Sequence, residues 1–263
     1  MKRYWAMVLL ILAMVFALTA CNDTPAQNGE GDPTGGEDDT AGAIYYGKIV
    51  ALDGDTMMLV AAGESANSAD VCRNSLSGLT ITDNDGNAMG TTELSPGMLV
   101  EVAFSGQIME TYPAQLDNPT TVKVVGQEAD LVGFYLGVLN DLYEVDPGLN
   151  SDISILGFDL SEVENLSAAE KSALVWLMGE EKGLETVTGT FDELAENGYI
   201  DKENLYFANG ILLSIDTGDI SENSFKFDAE KWRGGLGTYF FADCTATNNN
   251  GTWSYSVGAE AIS

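Results

Sequence analysis

Residues 44–61 read Ile44-Tyr-Tyr-Gly-Lys-Ile-Val-Ala-Leu52, Asp53-Gly54-Asp55, Thr56-Met-Met-Leu-Val-Ala61. Two apolar runs flank an Asp-Gly pair, the dipeptide that most readily supplies the positive φ of a tight turn, so the stretch predicts a β-hairpin. Working outward, Leu79-Thr-Ile-Thr82 reads as a third short strand, closed by the turn-rich Asp83-Asn-Asp-Gly-Asn87. Leu94-Ser-Pro-Gly97 turns the chain into Met98-Leu-Val-Glu-Val-Ala-Phe104, and Val122-Lys-Val-Val125 is the last strand before Gly126. Short strands separated by turn signals over residues 43–126 predict a small barrel or sandwich.

Residues 127–263 change character. Asp130 is placed to cap a helix from Leu131 to about Tyr143, which Pro147-Gly148 ends. Ile153-Ser-Ile-Leu-Gly-Phe158 reads as a strand. Ser167-Ala-Ala-Glu170 and Thr190-Phe-Asp-Glu193 are capping boxes, each opening a helix that Gly183 and Gly198 stop. Leu205-Tyr-Phe207, Ile211-Leu-Leu-Ser-Ile215, Phe225-Lys-Phe227, residues 239–247 and Thr252-Trp-Ser-Tyr-Ser-Val257 follow as strands, with Asn248-Asn-Asn-Gly251 as a hairpin turn. Helices first and an antiparallel meander after predict an α+β domain with its helices packed on the meander. No βαβ alternation is read in this half. The fold class expected for the whole is β plus α+β.

The N-terminus places Met1-Lys-Arg3 before an apolar run from Trp5 to Leu18, followed by Leu18-Thr-Ala-Cys21. A basic start, a short apolar stretch and small residues at its end make residues 1–20 a secretory signal peptide. Leu18-Thr-Ala-Cys21 resembles the lipobox of bacterial lipoproteins. That resemblance implies diacylglycerol transfer to the Cys21 thiol and cleavage before it. Two or three acyl chains on Cys21 would hold the protein on the membrane, where one chain binds only marginally. Residues 22–42 are Asn, Asp, Glu, Gly, Pro and Thr with almost nothing apolar, a composition that cannot build a core, so residues 21–42 read as a lipidated Cys and a disordered acidic tether.

Charge and composition exclude whole classes. The chain of 263 residues carries 41 acids against 11 bases, a formal charge of −30, and cleavage before Cys21 takes it to −32 by removing Lys2 and Arg3. Such a surface repels nucleic acid and favours cationic partners, divalent ions or plain solubility. Histidine is absent, which removes Ser-His-Asp and Cys-His nucleophile systems and histidine-based zinc sites. With Cys21 committed to lipid, Cys72 and Cys244 remain. An oxidising compartment would let them pair, whereas the apolar run Tyr239-Phe-Phe-Ala-Asp-Cys244 suits a buried free thiol.

Gly47-Lys-Ile-Val50, Leu94-Ser-Pro-Gly-Met-Leu-Val-Glu-Val102 and Glu110-Thr-Tyr-Pro-Ala-Gln115 resemble an uncharacterised family of Gram-positive bacterial lipoproteins with an OB-fold-like N-terminal domain. Phe227-Asp-Ala-Glu-Lys-Trp-Arg233, Tyr239-Phe-Phe241 and Gly258-Ala-Glu-Ala-Ile-Ser263 resemble the companion region of such lipoproteins. The resemblance implies an OB-like β-barrel over 43–126 followed by an α+β domain over 127–263. It also implies a lipid-anchored place on the extracytoplasmic face of a Gram-positive cell. It carries no activity.

Four groups of residues bear on function. Asp83, Asp85 and Asn87 have the i, i+2, i+4 spacing of a calcium loop, but Ala88 and Leu94 stand where its Gly and its bidentate Glu belong, so a β-turn is expected. Asp141, Glu144 and Asp146 crowd a helix end, either as paired carboxylates or as a solvated terminus. Trp232 and Arg233, with Tyr239 and Trp253, read as a binding face for sugar or peptide, or as core of the meander. Tyr112, Pro113 and Gln115 read as an OB-type binding face, or as the turn closing the barrel. The leading expectation is a non-enzymatic, surface-tethered module that binds an envelope protein, peptide or glycan, or assists envelope assembly, without metal or cofactor. Two alternatives stay open: a carboxylate-dependent hydrolase acting on envelope glycan, and a ligand-capturing subunit of a transporter.

Overall fold

The computed structural model describes residues 42–65 and 70–262; the signal segment, Cys21 and residues 22–41 of the tether lie outside them. The expected hairpin forms from β1 (Ala43–Asp53) and β2 (Thr56–Ala61), paired antiparallel with Asp53 opposite Thr56 and Gly54 at φ +55° in the turn. Met57-Met-Leu-Val60 does not alternate because both faces of the hairpin are buried. Tyr45, Ile49, Met57 and Leu59 point to one side, into a core with Cys72, Val100, Val102 and Leu116. Met58 and Val60 point to the other, and a bulge between Ile49 and Ala51 turns Val50 the same way.

The first sheet adds β3 (Val71–Ser75), β4 (Thr80–Thr82), β5 (Met98–Phe104) and β8 (Thr121–Gln127), in the order β3-β2-β1-β5-β8-β4, with β4 parallel to β8. A small ladder of β6 (Ile108–Met109) and β7 (Gln115–Leu116) lies between β5 and β8 in the chain. Beyond the ordered strands, Cys72 bridges Ala114 in parallel, with the Arg73 amide on the Ala114 carbonyl at 2.8 Å. The buried amide side chain of Asn74 extends this contact, donating to the Leu116 carbonyl at 3.0 Å and accepting the Leu116 amide at 3.2 Å. Strand β3 is absent from the sequence expectation because Val-Cys-Arg-Asn-Ser carries one strongly apolar residue.

Helix α1 (Leu131–Glu144) starts as expected, with Asp130 accepting the Gly133 amide at 2.8 Å. Both capping boxes form: Ser167 and Glu170 open α2 (Ala168–Lys182), and Thr190 and Glu193 open α3 (Phe191–Glu196). Gly183 ends α2 at φ +65°, the left-handed geometry of a helix stop.

The second sheet corrects two expectations. Strands β9 (Ile155–Asp159) and β10 (Glu185–Thr188) are parallel and joined through α2, and β11 (Gly210–Gly218) is parallel to β9 on its other side. A βαβ unit is therefore present. Its second strand, Glu-Thr-Val-Thr, is too short and polar to announce itself. Residues 205–207, expected as a strand, form a connection whose Tyr206 makes isolated bridges to Asp201 and Gly234. From β11 the meander runs as expected through β12 (Ser224–Gly234), β13 (Gly237–Asn249) and β14 (Thr252–Ser256), and β15 (Ala259–Ile262) also pairs with β13.

Helices α1 and α2 cover one face of this sheet, burying Leu139, Leu142, Leu174 and Met178 against Leu156, Ile211, Leu213, Phe225 and Phe227. Val50, Met58, Val60 and Val71 of the first sheet belong to the same core, so α2 is held between the two sheets.

Candidate functional site

Strand period sorts the side chains of the second sheet between two faces. Ile211, Leu213 and Ile215 of β11, with Phe225, Phe227 and Ala229 of β12, point beneath α1 and α2. Leu212 and Trp232 point the other way, where Leu194 and Phe191 of α3 cover them, the Phe191 and Trp232 rings meeting edge to face at 5.1 Å. Helix α3 has six residues, and its cover ends there.

Beyond α3 the same face carries Asp159, Asp216, Asp228, Glu230 and Phe240 around a groove of about 470 Å³, with Glu162 joining from the connection after β9. Among the described residues no Lys or Arg lines it. An adjoining hollow of about 330 Å³ shares Asp216 and Asp228 and adds Asp219 and Asp243, with Lys226 as its one cation. Asp216 and Asp228 are direct cross-strand partners, an arrangement of like charges that costs stability. Asp228 offsets part of this by accepting the Asp243 amide at 2.7 Å. Glu230 stands opposite Ser214 on one side and Phe240 on the other, and burial pushes its carboxyl above the ordinary value. The groove thus concentrates negative charge over an apolar strip. Chemically it is suited to attract cations, and it sets a carboxyl raised by burial near the exposed carboxylate of Asp228.

The residues singled out from the sequence do not converge. Trp232 and Arg233 are neighbours on a strand, so they face opposite ways: Trp232 packs under α3, and Arg233 donates to the carbonyls of Leu149 (2.9 Å), Ser151 (2.6 Å) and Ala208 (3.3 Å). The Tyr239 hydroxyl bonds to Glu260 near the sheet edge. Tyr112 is exposed and donates to the Ser172 carbonyl of α2 at 3.4 Å, and Gln115 is exposed on β7. Asp83 uses its carboxylate on its own loop, accepting the amides of Asp85 and Asn87, as a turn does. The acids at the end of α1 are separately engaged: Asp141 with the Tyr255 hydroxyl at 2.7 Å, Glu144 with Lys182 at 3.3 Å. Cys72 and Cys244 are both free and buried, on strands of different sheets, and no bond joins them. Among the described residues no cluster of acids and thiols is arranged to hold a metal ion, and no helix is long and apolar enough to cross a membrane.

The acids of the groove were not singled out from the sequence. The available signal is the alternation Phe225-Lys-Phe-Asp-Ala-Glu230, which sends Asp228 and Glu230 to one face. That this face is uncovered depends on the length of α3. Comparison of the chain with protein-family models, with curated proteins and with solved structures finds no match.

Proposed function

We propose that the protein is a lipid-anchored module of the extracytoplasmic surface, held through Cys21, that binds a Lys- or Arg-rich segment of an envelope protein along the uncovered face of its second sheet. The observation that carries this reading is the groove of Asp159, Glu162, Asp216, Asp228 and Glu230 with no basic residue in its lining. Each exposed ion pair contributes about 1 kcal/mol or less, so affinity comes from several pairs together and falls with salt. Phe240, Ala242 and Ala261 offer the apolar contact that keeps such binding from being charge alone. We also read the first sheet as an OB-like barrel. The order β3-β2-β1-β5-β8 and the parallel contact of Cys72 with Ala114 support closure of that kind.

The test is affinity capture from the organism's own envelope extract, with elution by salt. A basic protein retained by the wild type and lost by the Asp216→Asn, Asp228→Asn, Glu230→Gln variant supports the reading. Equal retention by that variant overturns it.

A second reading rests on Glu230 itself. A carboxyl raised by burial in a groove that also holds Asp228 resembles an acid and its charged companion, as a glycan hydrolase would use. Release of reducing ends from purified cell-wall glycan, abolished by Glu230→Gln, is its signature; no release at any pH from 4 to 7 removes it.

A further inference from the structure

The βαβ unit creates a second opening. Helix α2 leaves β9 toward one face of the sheet, and α3 follows β10 on the other, as their separate cores record. Where successive connections depart to opposite faces, a crevice is left at the carboxyl ends of the strands, the place where open parallel sheets bind ligands. Here that crevice has a volume of about 290 Å³ and shares only Asp159 with the acidic groove.

We propose that this crevice binds a small zwitterion with an apolar side chain, a single amino acid or a short peptide. Three features of its lining carry the assignment. Phe158 and Val175 form an apolar wall. Lys171, half-buried at the first turn of α2, makes no ion pair among the described residues, in a chain where bases are outnumbered almost four to one. Its ammonium is therefore open to a ligand carboxylate. Two acids complete the lining, each with one oxygen committed and one open. Asp159 Oδ1 accepts the amide and hydroxyl of Ser161, and Glu193 Oε2 accepts those of Thr190. The second oxygen of each has no bond among the described residues and can receive a ligand ammonium. One cation and two acids around an apolar wall match the charges of a zwitterion better than those of an anion or a sugar. The volume lies at the small end for organic ligands, which fits one or two residues.

Isothermal titration of the full-length protein with leucine, Leu-Leu, N-acetyl-leucine and leucine amide tests this. Leucine or Leu-Leu should bind, and the acetylated and amidated forms should bind at least tenfold more weakly. Lys171→Met should weaken leucine or Leu-Leu at least tenfold and leave the affinity for leucine amide unchanged. Glu193→Gln, which keeps the capping box, should weaken the zwitterion and not N-acetyl-leucine. Melting temperatures within a few degrees of wild type show that the variants are folded. No binding of either zwitterion, or equal binding of N-acetyl-leucine, overturns the proposal. The Asp216→Asn, Glu230→Gln variant should bind leucine or Leu-Leu as the wild type does; loss of binding there would move the ligand to the groove and also overturn it.

Discussion

Lys48, on the first strand of the first sheet, is ion-paired with Glu170, in the first turn of α2, and both side chains are about nine-tenths buried. Lys48 also reaches the exposed Glu128 at 3.3 Å. The pair ties the first sheet to the helix that supports the second, at the edge of their shared core. Glu170 serves two purposes at once, because its other oxygen accepts the Ser167 amide and hydroxyl, each at 2.8 Å.

Breaking this pair should be costly. A buried charge left without its partner destabilises by about 3 kcal/mol or more. Lys48→Met strands Glu170 and should lower the midpoint of urea unfolding more than Glu170→Gln, which keeps the cap. Equal midpoints for Lys48→Met and wild type would show that the pair contributes nothing.

Acid should act through the same residue. Burial pushes the Glu170 carboxyl up, but the Lys48 ammonium and the Ser167 amide outweigh it and hold it below its ordinary value of 4.5. A carboxyl lowered on folding contributes stability that is present above its unfolded pKa and lost as pH falls through the lowered folded value. Burial raises Asp130 nearby, so Asp130 works in the opposite direction over the same range. Wild-type stability should therefore fall more steeply below pH 4.5 than that of Glu170→Gln, measured by urea titration at a series of pH values.

Lys231 is fully buried, and its ammonium donates to the carbonyls of Tyr143 (3.0 Å), Val145 and Asp146 (3.2 Å), and to Asn150 at 3.4 Å. It closes the C-terminal end of α1, where carbonyls lack helical partners. Lys231→Met leaves these carbonyls unpaired and should cost about 2–4 kcal/mol. Burial lowers the Lys231 ammonium to about 8, against 10.5 when unfolded. The cost of burying the charge is thus present at neutral pH and relieved as pH rises from 8 toward 10.5. The stability gap between wild type and Lys231→Met should widen over that range.

Both described thiols should be silent until the protein unfolds. Burial pushes Cys244 up to about 11 and raises Cys72 as well. In a Cys21→Ser protein, Ellman's reagent at pH 8 should find two reactive thiols in urea and almost none in native buffer. A fast native reaction would place one of them at the surface. The same variant should no longer take up labelled fatty acid; continued labelling would remove the lipid assignment at Cys21.

The shared core predicts cooperativity. Val50, Met58, Val60 and Val71 pack into the same cluster as α1 and α2. Met58→Ala, at a site 3 % exposed, should cost about 2–4 kcal/mol and shift one transition seen by both tryptophan fluorescence and circular dichroism. Two separate transitions would show that the sheets unfold independently.

Local physics wrote much of this molecule into its sequence. Asp53-Gly54 specified a turn because few residues accept positive φ. Ser167 to Glu170 and Thr190 to Glu193 specified helix starts because each box satisfies its own amides within four residues. Tertiary structure decided what those elements meet. Whether Met58 faces water or a helix depends on α2, more than a hundred residues later. Val71–Ser75 and Glu185–Thr188 became strands through partners already in place, since neither carries a pattern strong enough alone. The acidic groove and the crevice follow from the same cause. Alternation put Asp228 and Glu230 on one face, but α3 covers only part of that face, and the opposite departures of α2 and α3 open the space beside Lys171. Those are facts of packing between distant segments, which no local stretch of sequence contains.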